Sequence, residues 1–366
     1  MPRVSRSFHR PGLIVLTAAW IAASACGSSA PAGAGDADAP VCQDLTADRP
    51  DGTPHHLRLA RQAMGTAFEI RVVTADALQG CAAMEAAFGE IERQEALFSE
   101  YRESSDISAI NREAGRAAVD VSPEVFGLIN HATALTRATG GAFDITFAAC
   151  GRLWSIRERR MPDEASLTAC LREVGAERIR LDSRHSSVFL PGPAMRIGVG
   201  AIAKGYGVDR AADVLMARGI TRFAVDGGGD LRVQGEDIDG PWTVRVAHPR
   251  EPGRVLRTLH LDRGAIVTSG DYLRFFEQDG VRYHHILDPA TGMPARRTIS
   301  VTVVAETATD ADALATGLFV MGPERGLEAL GRLPGVEALF VAPDLSVRAS
   351  PGFPADGAAA PRASAH

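Results

Sequence analysis

Apolar and polar positions along this chain follow two spacings, one typical of helices and the other typical of strands. Apolar residues three and four positions apart predict helices over 80–98, 122–140, 203–218 and 310–321. Shorter apolar runs, several of them alternating with polar residues, predict strands at 58–74, 195–199, 222–225, 242–247, 255–261, 265–268, 283–287, 298–304 and 339–347. Because helices and strands do not alternate strictly, the pattern favours an α+β fold over a doubly wound parallel sheet.

The beginning of the chain has the pattern of an export signal. Three arginines precede an apolar run at 13–25, and small residues then lead to Cys26. This order predicts a secretory signal peptide over 1–25. Cys26 resembles the lipidated cysteine of a bacterial lipobox, although Ala23 stands where that motif usually has Leu, and ordinary cleavage after Ala25 is the alternative. We expect an exported protein, lipid-anchored to a membrane of the bacterial envelope and facing the periplasm.

Composition divides the remainder into three parts. Residues 26–56 are rich in Ala, Gly, Ser, Pro and Asp, and residues 349–366 have the same character. Such segments bury too little apolar surface to offset the entropy of ordering, so they predict a flexible tether and a disordered tail. Residues 57–348 are enough for one large domain or two joined ones.

Charge and cysteine content exclude some functions and leave others open. The formal net charge of −6 and the scattered basic residues argue against nucleic-acid binding. Besides Cys26 the chain has Cys42, Cys81, Cys150 and Cys170, with no zinc-site spacing and no Cys-x-x-Cys pair. Both disulfides and isolated buried thiols are compatible with this pattern.

The strongest pointer to an active site is a polar segment between predicted strands. Residues 282–294 contain two adjacent histidines, an Asp-Pro turn and a Thr-Gly pair, and Thr-Ser-Gly-Asp-Tyr at 268–272 comes just before. His285 is the candidate base, because its ordinary pKa lies near neutral pH. His284, one residue away on a strand, should face the opposite side, and Asp288 should organise the turn.

A glycine-rich segment at 195–209 predicts a phosphate-binding turn at the start of a helix. Gly198-x-Gly200-x-x-Ala203 also matches the dinucleotide fingerprint, and Asp226 ends the next strand where a ribose-binding acid would lie. A Rossmann fold is therefore a competing interpretation. Three glycines after Asp226 and the lack of further βαβ units argue against it, and the glycines could also serve turns alone.

Asp312 and Thr316 are four residues apart and therefore share one face of a predicted helix. A carboxylate and a hydroxyl there suit Mg²⁺, which takes its other oxygens from backbone, water and phosphate. In the alternative interpretation, Asp310 is a helix N-cap and Asp312 balances the helix dipole.

Two further segments carry candidate residues. Gly140-Gly-Ala-Phe-Asp144-Ile-Thr-Phe predicts a turn that leads into a strand and holds one acid, which could equally be a hydrogen-bonded turn residue. In the polar loop after residue 98, Tyr101 could cover a flat ring, although a lone loop tyrosine more often packs against protein.

Together these segments resemble the ApbE family of FAD:protein FMN transferases. The residues that carry the resemblance are Met64-Gly65-Thr66, Ser99-x-Tyr101, Gly141-Ala-Phe-Asp144-Ile-Thr, Gly200-Ala-Ile-Ala-Lys-Gly-Tyr206, Asp226-Gly-Gly-Gly-Asp230, Thr268-Ser-Gly-Asp271, His285-Ile-Leu-Asp288-Pro-x-Thr-Gly and Asp312-Ala-Leu-Ala-Thr316. The resemblance implies a T-fold-like α+β architecture of two intimately joined lobes, with FAD in a central cleft. It also implies Mg²⁺-dependent transfer of FMN from FAD to a Ser or Thr hydroxyl of a partner protein, with release of AMP.

The resemblance assigns roles to individual positions. The residues expected to line the FAD site are Met64, Tyr101, Ala142, Phe143, Asp144, Lys204 and Ile286. The expected metal ligands are the Ala201 carbonyl, Asp312 and Thr316. At one position the chain departs from the family, because Gly198 stands where an FAD-contacting aspartate is usual. That contact should be missing here.

The expected chemistry pairs a cation with a base. Lys204 and Mg²⁺ would neutralise charge on the diphosphate, while His285 accepts or orients the proton of the attacking hydroxyl. The acceptor is expected to be an exported subunit of a membrane redox complex. Two alternatives keep the same site: a Mg²⁺-dependent FAD pyrophosphatase that uses water, and a periplasmic lipoprotein that binds FAD without turnover.

Overall fold

The elements of the fold come from a computed structural model that describes residues 13–16, 41–47 and 52–358. The strands are β1 (Leu13–Leu16), β2 (Gln43–Asp44), β3 (His55–Ala63), β4 (Thr66–Thr74), β5 (Val119–Asp120), β6 (Arg180–Asp182), β7 (Ser187–Phe189), β8 (Phe223–Gly227), β9 (Asp230–Gln234), β10 (Trp242–Ala247), β11 (Val255–Leu261), β12 (Arg263–Gly270), β13 (Phe275–Gln278), β14 (Val281–His284), β15 (Ser300–Ala305), β16 (Glu337–Val341) and β17 (Val347–Ala349). The helices are α1 (Ala77–Phe98), α2 (Asp106–Arg112), α3 (Pro123–Ala138), α4 (Ala148–Gly151), α5 (Glu164–Leu171), α6 (Ala203–Ala217) and α7 (Ala308–Leu330). This mixture confirms the predicted α+β class.

A nine-stranded antiparallel sheet forms the middle layer of the molecule, in the order β17-β16-β15-β12-β9-β8-β4-β3-β2. One face is covered by α1, α6 and α7, which bury the larger apolar cluster. The other face packs against β10 and β11, and Trp242, Val244 and Leu259 from that ribbon fill the second cluster. Because successive side chains of a strand point to opposite faces, central strands such as β15 are buried throughout.

The helix layer is tightest where α6 meets the first turns of α7. Gly205 lies in this contact, and a Cβ atom there would collide with the carbonyl oxygen of Ala308 and lie 2.9 Å from the Cβ of Asp312. The absence of a side chain at Gly205 therefore lets the two helices approach closely. This contact fixes where the candidate site forms.

The strand predicted over 58–74 is instead a hairpin, so that prediction was wrong. β3 and β4 pair from His55 opposite Thr74 to Ala63 opposite Thr66. Met64 and Gly65 form the two-residue turn, with φ angles of 48° and 74°. Two successive residues at positive φ give a turn whose twist matches the strands it joins. Methionine is an unusual residue for such a turn, which is why the alternation seemed continuous.

Two other strand predictions fail because side chains supply the backbone's hydrogen bonds. Residues 195–199 join no sheet of the described structure, because the Asn111 side chain pairs with both backbone groups of Ile197, at 2.8 and 2.9 Å. The segment after Asp144 forms a 3₁₀ turn and then α4, since the Asp144 carboxylate caps the N–H of Thr146 at 2.7 Å.

Two disulfides answer the question that cysteine spacing left open. Cys42 is bonded to Cys81 at the start of α1, and Cys150 of α4 is bonded to Cys170 of α5. The first bridge ties the N-terminal edge of the sheet to a helix. The second closes a helical segment that packs near the histidine loop.

The packed part of the chain extends beyond the predicted boundaries of 57–348. β2, within the predicted tether of 26–56, is the edge strand of the sheet. Within the predicted tail of 349–366, Phe353 is buried in the second apolar cluster, and Gly357 donates to the carbonyl of Thr258 at 2.8 Å. Apolar and hydrogen-bonding residues therefore continue into segments whose average composition predicted none.

Only residues 13–16 of the predicted signal peptide are described, and they pair in parallel with β10. The remainder of the predicted signal and the predicted lipidation site, Cys26, lie outside the described residues. Among the helices of the described part, none has the length and apolarity needed to cross a bilayer.

Candidate active site

Lys204 joins three elements at the contact between α6 and α7. Its Nζ donates to Oδ2 of Asp230, at the start of β9, over 2.6 Å, and to Oδ1 of Asp312, on α7, over 3.1 Å. The other oxygen of Asp312 accepts the N–H of Gly205 at 3.1 Å. Both carboxylates are buried, each 4% exposed. Sheet and helices therefore converge on one ammonium group.

The charges of this cluster balance only when one of its two acids is protonated. Burial, followed by repulsion from Asp312, raises the pKa of Asp230 well above its ordinary value. Burial lowers the pKa of Lys204, but attraction by the two carboxylates outweighs it and the net shift is upward. Lys204 therefore stays charged, and when both acids are ionised the buried cluster carries a surplus negative charge. That surplus charge favours the binding of one more cation.

The residues around Asp312 fit a hard cation such as Mg²⁺. Thr316 follows one helical turn later, and its hydroxyl makes no hydrogen bond within the described residues. Ala201, whose carbonyl is the third predicted ligand, lies just before α6 in the segment that leads to Lys204. No cluster of three or more His, Cys, Asp or Glu side chains suited to a metal exists in the described part of the chain. A cation here would thus complete its oxygen shell with water or phosphate, as Mg²⁺ usually does.

The two adjacent histidines at the end of β14 have different surroundings. The buried His284 ring contacts the Ala295 carbonyl through Nε2 at 2.8 Å and accepts the Ile286 N–H through Nδ1 at 3.3 Å. Because Nδ1 accepts and a carbonyl can only accept, His284 is neutral with its proton on Nε2. Burial lowers its pKa further. His284 therefore supports the loop and is not available to a ligand.

His285 points outward from the same strand end. Its Nδ1 lies 3.3 Å from the carbonyl oxygen of Arg274, which requires a proton on Nδ1 and leaves Nε2 as an acceptor. The side chain is open to solvent, yet protein atoms crowd its surroundings. This desolvation, followed by the positive charge of Arg274, lowers the pKa to about 4. The charge of Lys204 acts in the same direction, so His285 shares the electrostatic environment of the cluster.

The turn after His285 is held by the disulfide-bonded helical segment. Asp288 accepts the N–H of Ala290 on its side chain and that of Gly292 on its carbonyl, which is the predicted turn role. The Trp154 indole donates to the Gly292 carbonyl at 3.1 Å. Gly292 has a φ of 71°, and a side chain there would collide with Leu167. The Cys150–Cys170 segment therefore packs directly on this turn.

Two of the predicted flavin residues, Met64 and Phe143, pack against α6 and α7. The Met64 thioether packs on Gly207 of α6, since a Cβ at Gly207 would lie 3.2 Å from the Met64 sulfur. Ala142 and Phe143 are buried, and a Cβ at Gly317, beside Thr316, would lie 3.2 Å from that of Phe143. Ile286 is buried next to His285.

Tyr101 and Asp144 lie at a second position, around the loop that begins at Gly198. Tyr101 is 98% exposed, and Gly198 donates to the carbonyl of Ile145, the neighbour of Asp144, at 2.9 Å. The Asp144 carboxylate also accepts N–H groups of Thr146 and Ala176, and burial raises its pKa. Asp144 therefore builds the loop, and its predicted contact with FAD stays a prediction.

Asp230 and Asp209 were not among the predicted site residues. Asp230 is a direct partner of Lys204. Asp209 of α6 accepts the N–H groups of Ala308 and Thr309 and so caps the start of α7, below Asp312. The signal for Asp230 was the Asp-Gly-Gly-Gly-Asp motif, in which the second acid, and not Asp226, contacts the lysine.

Comparisons with known proteins agree with this geometry. The sequence model of the ApbE family matches residues 64–340. The FAD:protein FMN transferase of Treponema pallidum is 36% identical over 313 residues, which cover 80% of this chain and 86% of that relative. The corresponding protein of Vibrio cholerae is 34% identical over 280 residues, which cover 74% and 83%.

Two solved structures resemble the fold over most of their length. The crystal structure of the ApbE protein from Thermotoga maritima has a TM-score of 0.75 and 34% identity, covering 81% of this chain and 98% of that one. The flavin transferase ApbE from Vibrio cholerae has a TM-score of 0.73 and 31% identity, covering 82% and 98%.

Proposed function

Because this chain belongs to the ApbE family, we propose that it moves the FMN part of FAD onto a serine or threonine hydroxyl of a partner protein and releases AMP. Its relatives are named FAD:protein FMN transferases, and the chain is accordingly a flavin transferase. The observation that carries the finer proposal is the Lys204–Asp230–Asp312 cluster beside a neutral His285.

The cluster suits the diphosphate of FAD. An ammonium group has three donors, and the carboxylates of Asp230 and Asp312 take two of those of Lys204, which leaves one for a phosphate oxygen. Mg²⁺ held by the Ala201 carbonyl, Asp312 and Thr316 would supply further positive charge to the same diphosphate. Lys204 lowers the repulsion that an incoming hydroxyl oxygen meets at phosphorus.

His285 provides the group that handles the proton. The acceptor hydroxyl oxygen forms a bond to the phosphorus of the FMN part, while the bond from that phosphorus to the AMP oxygen breaks and AMP leaves with the electron pair. Nε2 of His285 is unprotonated and orients the hydroxyl or takes its proton. The nucleophile belongs to the partner, so the chain needs no nucleophile of its own.

The transfer can be tested with purified protein, FAD, Mg²⁺ and a soluble domain of a candidate redox subunit. We expect the acceptor to gain the mass of one FMN, to fluoresce in a denaturing gel and to be required for AMP release. AMP release at the same rate without acceptor would identify a pyrophosphatase. Bound FAD with neither product would identify a carrier. An acceptor whose target residue is changed to Ala is the matched control.

We also propose that the protein is anchored by a lipid on Cys26 and works at the periplasmic face of a membrane. The basic start, apolar run and small residues before Cys26 support this placement. Cys26→Ser should move the protein from the membrane fraction to the soluble periplasm, as measured by fractionation. A variant that stays with the membrane would contradict lipid as the anchor.

A further inference from the structure

The carboxylate of Glu100 lies over the glycine where an acidic residue was expected. A Cβ atom built on Gly198 would lie 2.6 Å from Oε1 and 2.8 Å from Oε2 of Glu100. The Cβ of Ala148 closes the same space, at 2.9 Å. The volume that a side chain at position 198 would enter is therefore already filled by a carboxylate, which comes from the loop after α1.

This carboxylate has hydrogen-bonding capacity that the protein does not use. Within the described residues no group donates a hydrogen bond to Glu100, and no cation lies within 4.0 Å of it. The side chain is exposed, but its surroundings are dense, and burial raises its pKa while the charge of Arg196 opposes that shift. Because the side chain is exposed, water supplies its donors in the absence of a ligand, and a donor group of a bound ligand can take the place of that water.

The residues around Glu100 indicate which ligand would supply such a donor. Tyr101, the next residue, and the Asp144–Ile145 turn, which accepts the Gly198 N–H, both belong to the predicted FAD site. Gly198 begins the segment that reaches Lys204 six residues later. Glu100 is thus a neighbour of residues that are predicted to line the FAD site.

We propose that Glu100 is a specificity-determining residue that supplies the FAD-binding carboxylate absent from position 198, a role that rests on the proposed function. Its carboxylate accepts a hydrogen bond from an N–H or O–H group of FAD. A purely structural role as the partner of Arg196 would require a closer pair than the structure contains. In this proposal the acid comes from position 100 instead of position 198, and its carboxylate lies in the space beside position 198.

The first test measures FAD affinity by quenching of flavin fluorescence. Glu100→Ala should weaken FAD binding by about 10- to 100-fold, because a hydrogen bond to a charged group contributes about 1.5–3 kcal/mol. Glu100→Gln should fall between wild type and Glu100→Ala. Glu103→Gln, an exposed acid of the same loop, is the matched control and should bind FAD as wild type does. Repeating the titration with FMN and with AMP identifies the half of FAD that carries the donor.

A second test exchanges the two positions. Gly198 has an ordinary negative φ, so its backbone accepts a side chain. Gly198→Asp alone should weaken FAD binding, because two carboxylates would compete for one space. The exchange combines Glu100→Ala with Gly198→Asp and Ala148→Gly, because the Cβ of Ala148 would otherwise lie 2.9 Å from the new Cβ at position 198. This variant should recover affinity to within about threefold of wild type, because one acid then fills the space that two would contest.

The outcomes separate this inference from the proposed function. Unchanged FAD affinity in Glu100→Ala, with a wild-type melting temperature, would overturn the role of Glu100 and leave the transferase proposal intact. Failure of the exchange to recover affinity would also overturn it. A wild-type protein that binds no FAD would overturn both proposals.

Discussion

Two histidines that are neighbours in the chain perform different work because a strand alternates its side chains. His284 turns inward and makes two hydrogen bonds to the loop backbone, so it determines the shape of the loop. His285 turns outward, and one bond to the Arg274 carbonyl fixes its tautomer and leaves Nε2 exposed. His284 supports the loop and His285 is free for chemistry because successive side chains of a strand point to opposite faces.

The pKa of His285 gives a prediction for the pH dependence of transfer. A base works only when unprotonated, so activity is lost as pH falls through the pKa of about 4 and is retained above it. We expect kcat/KM to be flat from about pH 6 to 8 and to fall below about pH 5. An inflection near the ordinary histidine pKa would contradict this environment. Circular dichroism at each pH separates titration from unfolding.

The same residue can be removed. His285→Asn should reduce kcat by about 10²-fold, the lower end for general bases, because a pKa of about 4 makes a weak base. The Kd for FAD should stay within about twofold, since the predicted contact is with the acceptor hydroxyl. His284→Asn provides the contrast: it should lower the melting temperature as well as activity. A change in His285→Asn confined to FAD affinity would refute the proton-handling role.

Asp312 contacts both Lys204 and Gly205 and is also a proposed metal ligand. More of the site therefore depends on Asp312 than on any other residue of the cluster. Asp312→Asn should lower transfer by about 10²-fold or more at ordinary Mg²⁺, with partial recovery as Mg²⁺ is raised. Asp310→Asn is the control on the same helical turn, because Asp310 pairs with His131 and not with Lys204. It should cost about 1 kcal/mol of stability and leave the Mg²⁺ dependence unchanged. Equal Mg²⁺ dependence in both variants would remove Asp312 from the proposed metal site.

At the scale of elements, the contact between α6 and α7 makes the site possible. Asp209 caps α7 from within α6, and Gly205 lets the helices approach until Lys204 reaches Asp312. The site is therefore a product of helix packing as much as of its polar residues. A change that separates the helices should affect the site before it affects the core.

Gly205→Ala tests this packing. Its Cβ would collide with the Ala308 carbonyl, and we expect a loss of about 1–3 kcal/mol in the free energy of unfolding, together with reduced FAD binding. Gly89→Ala is the matched control, since Gly89 lies on the exposed face of α1 with nothing within 4 Å of a new Cβ. It should stabilise by about 0.5–1 kcal/mol. Urea denaturation measures both, and equal effects would contradict close packing at Gly205.

Elements were predictable where a single spacing persisted. The apolar stripe of α1 and the alternation in β10 and β11 gave those elements from sequence. Prediction failed where a local side chain replaced a regular pattern, as with Asn111 at Ile197, and where Met64 adopted the positive φ that glycine or asparagine usually takes. Neither a side chain that replaces a backbone partner nor a methionine at positive φ changes the spacing of apolar residues, so neither can be read from that spacing.

The site was predictable in part for a related reason. Lys204, His285, Asp312 and Thr316 lie in motifs with a recognisable order. Asp230 was harder to assign, because two acids flank three glycines and their directions depend on a turn with φ angles of 70° and 102° at Gly228 and Gly229. Glu100 could not be found, since its relation to Gly198 exists only across the fold.

At the scale of the molecule, the sheet order depends on contacts distant in sequence. β4 pairs with β8, although about 150 residues separate them, and no local spacing encodes that pairing. The pairing of the four cysteines cannot be deduced from the sequence either, because it also depends on contacts between distant segments. The sequence could therefore indicate the class of fold and its motifs but not how the layers assemble.

The two disulfides should have separable effects. The loop-entropy relation gives about 4 kcal/mol for Cys42–Cys81, which spans 39 residues, and about 3 kcal/mol for Cys150–Cys170, which spans 20. Replacing both cysteines of a pair by Ser should lower the melting temperature in each case. The second replacement should also slow transfer, because Trp154 and Leu167 then hold the Gly292 turn less firmly. Equal slowing by both replacements would contradict that link.

The shortness of the two outermost strands has a consequence for how other proteins can approach. β2 has two residues and β17 has three, so neither of these two strands is itself long enough to offer an extended run of free amide and carbonyl groups. A strand of the proposed acceptor would therefore find at most three residues to pair with on either of them. Recognition of the acceptor through side chains would not need such pairing, and it would leave the acceptor's backbone free to differ.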